Sequence, residues 1–384
     1  MGGFGLLAQT FDRMPLLSNI RNRYARTQPL RGCRVAVVFH LTKEAACLAL
    51  TLRTGGADVC FLPSKIPTIE RPVADELSST DILLLTADDE EGRADQLRSI
   101  PAFLPDLVVD NSDLFSLWHS LSNAPPLLCA SIHSRGACEI VESYWEAHQE
   151  LLFPVIAVGS SPIKLQLESS HGTGQSVVMA LIHTTGFQLG GKNVVVIGYG
   201  NVGGGIAKFA RGLNARVTVV QNSAFRALQA LMDGFEVLPL AEALSRADVV
   251  ITATGRSRIL TESHFHLLRD GVFLGNVGRS EEIDVSALSR IGGIGRQFSD
   301  SVTEYTINGN RIRLLGDGHQ FNHMASCANS SEIMDLSLAL HVLSIEDVWC
   351  KRPRMACAIH QVSRDIADTV AREKLNQLGI RLDA

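Results

Sequence analysis

Short apolar runs bounded by turn residues alternate along this chain with longer stretches whose apolar residues recur at helical spacing. That alternation is the pattern of β-α-β units around a parallel sheet, whose strands are covered on both faces and read as unbroken runs of Val, Ile and Leu. In the first half, strands are predicted at 34–41 (RVAVVFHL), 58–62, 82–86, 107–110 and 155–158, and 43–53 reads as a helix closed by Gly55 and Gly56. A second series begins at Asn193 with NVVVIG, enters a helix ending near Leu213 through a glycine-rich turn, and continues with strands at ARVTVV, 248–252 and 271–274. Segment 330–344 (SSEIMDLSLALHVLS) predicts a helix with Ser available to cap its start. The fold class is α/β with two parallel-sheet lobes, residues 1–170 plus 328–360 and residues 171–327, followed by a short helical tail over 361–384.

The glycine-rich turn is the first sign of chemistry. Gly198, Gly200 and Gly203 form G-Y-G-N-V-G directly between a predicted strand and helix, with Asn201 and Val202 in the same turn. The first glycine permits the tight turn, the second lets a pyrophosphate approach the backbone, and the third permits close packing of helix on strand. The helix start then offers unpaired N–H groups to the phosphates. In its β-α-β setting the motif predicts dinucleotide binding and two Rossmann-like lobes. The acidic residue that usually holds the ribose diol after the next strand is replaced by Gln221 and Asn222. A Gln can still bond a ribose hydroxyl without repelling a 2′-phosphate, which Arg226 is placed to reach. NAD is the expected cofactor, with NADP left open.

Composition narrows the partners. With 384 residues, 46% hydrophobic and 20% charged, the chain has material for a large core and lacks the profile of disorder. No apolar run is long enough for a membrane span, and a net charge of −5 argues against a nucleic-acid footprint, leaving a small molecule as the expected ligand. The N-terminus lacks the pattern of a secretory signal, so a cytoplasmic protein is expected. The eight Cys show no C-x-x-C pair and are expected as reduced thiols. His319 and His323 share i,i+4 spacing but lack a third ligand, so no metal is expected.

Several blocks together resemble the S-adenosyl-L-homocysteine hydrolase family: MPLLSNIRNRYARTQPLRGCRVAVVFHLTKEAA, FPVIAVGSSPIKLQLESSHGTGQS, GKNVVVIGYGNVGGGIA, GNVGRSEEIDV and LLGDGHQFNHMASCANSSEIM. They occur in the family's order from Met14 to about Gly379, covering both lobes. The resemblance implies a tightly held NAD that oxidises the ribose 3′-hydroxyl of an adenine nucleoside, a C4′ proton made acidic, and expulsion of the C5′ substituent. It also implies a homo-oligomer, dimer or tetramer. By the resemblance, Lys164 stands beside the 3′-hydroxyl and Glu168 takes the place of an Asp contacting the ribose. His40, Thr42 and Glu44 match the family's H-M-T-x-E, in which Thr and Glu read the adenine edge and His approaches C5′. Asn276, Val277, Gly278 and Asn322 match cofactor-side positions, as do Ser134, Arg135, Ser169 and Thr254.

The departures gather around the sugar and C5′. The family's catalytic Asp aligns with either Asp110 or Asn111, depending on where a one-residue gap falls. The family's E-E-T-T-T run aligns with Ser131, Ile132, His133, Ser134 and Arg135, which makes His133 a titratable candidate. Arg279 and Asn329 replace two family histidines, and a guanidinium does not exchange protons near neutral pH as imidazole does. The family's Lys- and Tyr-bearing tail has no counterpart after LGIRLDA. With the adenine triad, the Lys and the NAD loop kept while the C5′ residues diverge, the expected activity is elimination of water across C4′–C5′ of an adenine nucleoside. Hydrolysis of S-adenosylhomocysteine and a silent NAD-binding regulator are the alternatives.

Overall fold

The computed structural model describes residues 5–66, 69–111, 113–278, 281–324, 329–352 and 354–382, and divides into two compact units, Met1–Leu165 with Ser331–Ala384, and Gln166–Ser330. Each is built on its own sheet.

In the first unit the strands lie in the order Leu83–Leu84, Asp58–Pro63, Arg34–Phe39, Leu107–Asp110, Cys129–Ile132, Val155–Ala157 and Ile359–His360. All neighbouring pairs are parallel. In chain order the first six read 3-2-1-4-5-6, the arrangement that opens a crevice at the carboxyl ends of the two central strands. Alternation along Arg34–Phe39 splits the core: Val35, Val37 and Phe39 join one apolar cluster, and Ala36 and Val38 the cluster on the opposite face. Helix Ser331–Lys351 is longer than the sequence pattern predicts and is buried along most of its length, with Leu338, Ala339 and Leu340 in the first cluster. Two buried carboxylates staple helix starts here. Asp335 accepts from the backbone N–H groups of Leu16 and Leu17 at 2.8 and 2.9 Å, and Asp110 from those of Leu114 and Phe115 at 3.2 and 2.8 Å. The helix Arg364–Gln377, expected as part of a separate tail, belongs to this unit and buries Val370.

The second unit repeats the order over five strands, Glu236–Val237, Arg216–Val220, Asn193–Ile197, Val249–Thr252 and Val272–Asn276, followed by the parallel strand Asn310–Leu315 and the antiparallel strands Val302–Ile307 and Arg296–Ser299, which precede it in the chain. Val194 and Val196 face one apolar cluster, Val195 and Ile197 the other. The antiparallel pair was not legible in the apolar pattern, because Arg296–Ser299 is largely exposed. Among the described residues no helix is long and apolar enough to cross a membrane, no group of His, Cys, Asp and Glu is arranged to hold a metal ion, and the seven described cysteines are free.

Candidate functional site

The central crevice of the first unit is lined by side chains. Strand Arg34–Phe39 ends at His40, whose Nδ1 lies 3.2 Å from Ser64 Oγ. Thr42 then caps helix Lys43–Thr54, its Oγ1 accepting from Ala45 N–H at 3.4 Å. Glu44, in the first turn, is 2% exposed; its Oε1 accepts from Ser331 Oγ at 2.5 Å and lies 3.2 Å from Lys43 Nζ. Glu44 of the sequence triad is therefore held by a serine and a lysine that the motif reading did not single out.

On the neighbouring strand Leu107–Asp110 the two aligned candidates are placed differently. Asp110 is fully buried, and both of its oxygens are engaged by the start of helix Asp113–Ser120, while Asn111 is the partly exposed residue at the strand end. Burial pushes the Asp110 carboxyl up to about 7, helped by the like charge of Asp113 and opposed by the N–H groups of Phe115, Leu114 and Asn111.

Lys164 is the second residue of the π-helical segment Ile163–Thr173, a rare geometry that often accompanies functional sites. Its Nζ lies 2.7 Å from His133 Nε2, and His133 Nδ1 lies 3.1 Å from His341 Nε2. His341 Nδ1 in turn lies 2.7 Å from Ser131 Oγ. Burial, then the charge of Lys164, hold His341 down to about 3 and His133 well below the ordinary histidine range. His341 escaped the sequence reading because it sits inside an apolar helical run, where a lone imidazole carries no motif. Ser134 and Arg135 of the E-E-T-T-T alignment serve local structure in this unit, and Ile132 is buried in the core. Ser134 caps helix Arg135–His148 by accepting from Ala137 N–H at 3.1 Å, and Arg135 makes a two-pronged pair with Glu142, both contacts 2.7 Å.

In the second unit the corresponding crevice is lined by backbone. Gly198 ends strand Asn193–Ile197 with φ +101°, a conformation that disfavours any residue with a Cβ, and a Cβ at Gly203 would stand 2.0 Å from Gly198 O. Helix Asn201–Gly212, which carries Asn201 and Val202, starts at Gly200 with no side-chain cap, so its first N–H groups are left for an anion. Gln221 follows strand Arg216–Val220; its Oε1 accepts from Asn222 and Ser223 N–H at 2.8 and 3.0 Å, which leaves its amide hydrogens to donate. Arg226 sits on the next helix, 3.2 Å from Gln229 Oε1. Thr254 gives both its N–H and its hydroxyl to Glu282, at 3.0 and 2.8 Å, so it fixes a loop through a carboxylate that the sequence reading missed.

Asn276 is buried, bonding Gly318 O at 2.9 Å and accepting from Gly278 N–H at 2.9 Å, and Val277 O accepts from Gln320. Asn322 Nδ2 reaches Ser176 Oγ at 3.1 Å, while its buried Oδ1 has no hydrogen-bond partner among the described residues. An orphaned acceptor of this kind suits a ligand that donates, as a nicotinamide carboxamide does. Together with the uncapped glycine turn, it makes these residues fit a bound dinucleotide. Glu168 is 2% exposed and accepts from Asn329 Nδ2 at 3.2 Å, and Asn329 Oδ1 accepts from Thr173 Oγ1 at 3.2 Å. Ser169 lies in the same π-helical segment. Arg279 lies outside the described residues.

The comparisons with known proteins agree with this geometry. Residues 169–330 match the family model of the S-adenosyl-L-homocysteine hydrolase NAD binding domain, and residues 7–91 match that of S-adenosyl-L-homocysteine hydrolase. The adenosylhomocysteinase of Sulfurisphaera tokodaii is 35% identical over 376 residues, which cover 96% of this chain and 90% of that protein. The S-inosyl-L-homocysteine hydrolase of Methanopyrus kandleri is 34% identical over 391 residues, covering 97% and 89%. Among solved structures, a dipicolinate synthase from Bacillus halodurans aligns with a TM-score of 0.54 at 13% identity, over 84% of this chain and 99% of that one, a likeness of fold alone. The cofactor is NAD, and the chain belongs to the adenosylhomocysteinase family.

Proposed function

We propose that this chain is an NAD-dependent nucleoside dehydratase, which removes water across C4′ and C5′ of an adenine nucleoside by transient oxidation at C3′. Bound NAD would supply a reversible two-electron exchange with the sugar carbon, making the adjacent C–H acidic. The cofactor would be held by the turn at Gly198, Gly200 and Gly203, by Gln221 on the ribose, and by Asn276 and Asn322 on the nicotinamide side.

In the first unit Lys164 accepts the 3′-hydroxyl proton and later returns it. Thr42 and Glu44 read the adenine edge, the carboxylate accepting from the exocyclic amine. His40 is the titratable group offered to C5′, where it protonates the departing hydroxide and is restored by the proton lost from C4′. The C4′ proton and the C5′ hydroxyl leave together as one water, and the sugar ends with an exocyclic alkene at its original oxidation level.

The observation that carries this reading is the engagement of Asp110. Both of its oxygens hold helix Asp113–Ser120, leaving Asn111 outermost at that strand end. An amide holds a water but cannot take its proton. Residues of this kind favour elimination over readdition of water. Incubating the purified protein with 5′-hydroxy adenine nucleosides is expected to give a stable product lighter by one water. Release of homocysteine from S-adenosylhomocysteine with no such product would favour hydrolysis, the reading supported by the 35% identity to an adenosylhomocysteinase over 96% of the chain.

A further inference from the structure

The first unit contains a row of four polar side chains, Lys164, His133, His341 and Ser131, of which only Lys164 has a part in the scheme above. All four are at most 7% exposed, and the links measure 2.7, 3.1 and 2.7 Å in that order. They come from separate elements: the π-helical segment, the end of strand Cys129–Ile132, and the middle of helix Ser331–Lys351. Phe39 packs on both rings, with centroids 4.4 Å from His133 and 6.2 Å from His341. A buried polar row held this tightly costs folding free energy unless each hydrogen finds an acceptor.

The chemistry of the outer member sets the direction of the row. An ammonium has hydrogens only to give. With Lys164 protonated, His133 Nε2 must accept, so its hydrogen sits on Nδ1 and is given to His341 Nε2. The hydrogen of His341 then sits on its own Nδ1 and is given to Ser131 Oγ. With an ammonium at the head of the row, every link is satisfied in that one polarity.

We propose that His341 is a positioning residue for Lys164, acting through His133: by accepting the Nδ1 hydrogen it fixes the tautomer that presents the Nε2 lone pair to the amine. The proposal rests on the reading of Lys164 as acceptor of the 3′-hydroxyl proton. In the forward step the sugar O–H bond breaks and the third N–H bond of Lys164 forms; in the return step that N–H breaks and the O–H is restored. The amine keeps one hydrogen on His133 Nε2 throughout, so its remaining site is aimed away from the row, and neither imidazole gains or loses a proton. Neutral rings are what the surroundings provide. Lys164, His341 and His40 are titratable groups facing His133, Lys164 and His133 face His341, and burial together with the charge of Lys164 keeps both rings uncharged.

Two variants and one spectroscopic measurement test this. His341→Leu removes the acceptor and frees His133 to adopt the opposite tautomer, which points a hydrogen at Lys164. It is expected to lower kcat about tenfold or more while KM stays within about twofold. His341→Gln, whose amide oxygen accepts the same hydrogen, is expected to restore most of kcat. Ring-nitrogen NMR shifts of the unmodified protein are expected to place both hydrogens on Nδ1, and thermal melts check that each variant folds. Hydrogens on Nε2 of both rings, an unchanged kcat in His341→Leu, or no recovery in a folded His341→Gln would each overturn the inference. Absence of turnover of any nucleoside by the unmodified enzyme would instead overturn the proposed function, and the tautomer measurement would still decide this inference.

Discussion

The two units put the same strand order to opposite uses. At the central crevice of the second, strand Asn193–Ile197 runs into a glycine turn and an uncapped helix, so the surface on offer is backbone N–H. At the corresponding place in the first, strand Arg34–Phe39 runs into His40, Thr42 and Glu44, and the helix is capped by Thr42. A side chain that caps its own helix takes up the donors that a phosphate would need. With the site roles proposed above, one topology yields a cofactor cradle or a substrate site according to whether the residues after the first strand carry side chains.

The largest expected effect comes from removing the side-chain chemistry of the first unit. Lys164→Met should lower turnover by about a hundredfold to ten-thousandfold, the usual contribution of a positioned proton acceptor. NAD retention should be unchanged, because every residue assigned to hold it through the glycine turn lies in the second unit. A parallel loss of bound NAD, measured after denaturation and extraction, would break the contrast. The converse experiment is Gly203→Ala. A Cβ there would stand 2.0 Å from Gly198 O, so the helix must shift, at a cost of about 1–3 kcal/mol, and NAD should be lost by about tenfold to a hundredfold in affinity. All three tryptophans, Trp118, Trp145 and Trp349, lie in the first unit, so a tryptophan-detected melt of this variant tests whether the damage stays in the second.

The contrast also explains what the sequence could disclose. The glycine turn was legible because backbone-lined sites restrict residue type: only glycine tolerates the φ of Gly198 and the approach at Gly203. The central strands were legible because burial on both faces demands unbroken apolar runs. The side-chain site was half legible. Lys164, His40 and Glu44 stood in recognisable blocks, but what each touches depends on residues far away in the chain. Ser331 meets Glu44 across 287 positions and His341 meets His133 across 208, distances that no local pattern encodes.

A smaller effect separates substrates. Glu44 is buried against Ser331 and Lys43, and its carboxylate is suited to an exocyclic amine but not to a carbonyl oxygen at the same place. Glu44→Gln should reduce the preference for adenine over hypoxanthine nucleosides by about tenfold, since the amide can also donate. The check is the ratio of kcat/KM for the two bases. An unchanged ratio would remove Glu44 from base recognition and leave it a structural partner of Ser331.

The smallest effect is on stability and runs in two directions within the first unit. His341 is held down to about 3, so the folded state takes up fewer protons than the unfolded chain below an ordinary histidine pKa of about 6.5. Its contribution is therefore present near neutrality and lost as pH falls from about 6.5 toward about 3. Asp110 and Asp335 are pushed up to about 7 and about 6, so the folded state keeps protons that the unfolded chain gives up above about 4. Their contribution is present in acid and lost as pH rises through those values. Between about pH 4 and 6.5 the two kinds of group oppose each other, each at about 1.4 kcal/mol per pH unit at most. Urea denaturation across that window should find His341→Gln falling more steeply in stability as pH rises than the unmodified protein, and Asp110→Asn falling less steeply or rising. Parallel curves for all three would mean that these buried groups titrate alike in the folded and unfolded chain, and the low-dielectric character assigned to the first unit's crevice would have to be given up.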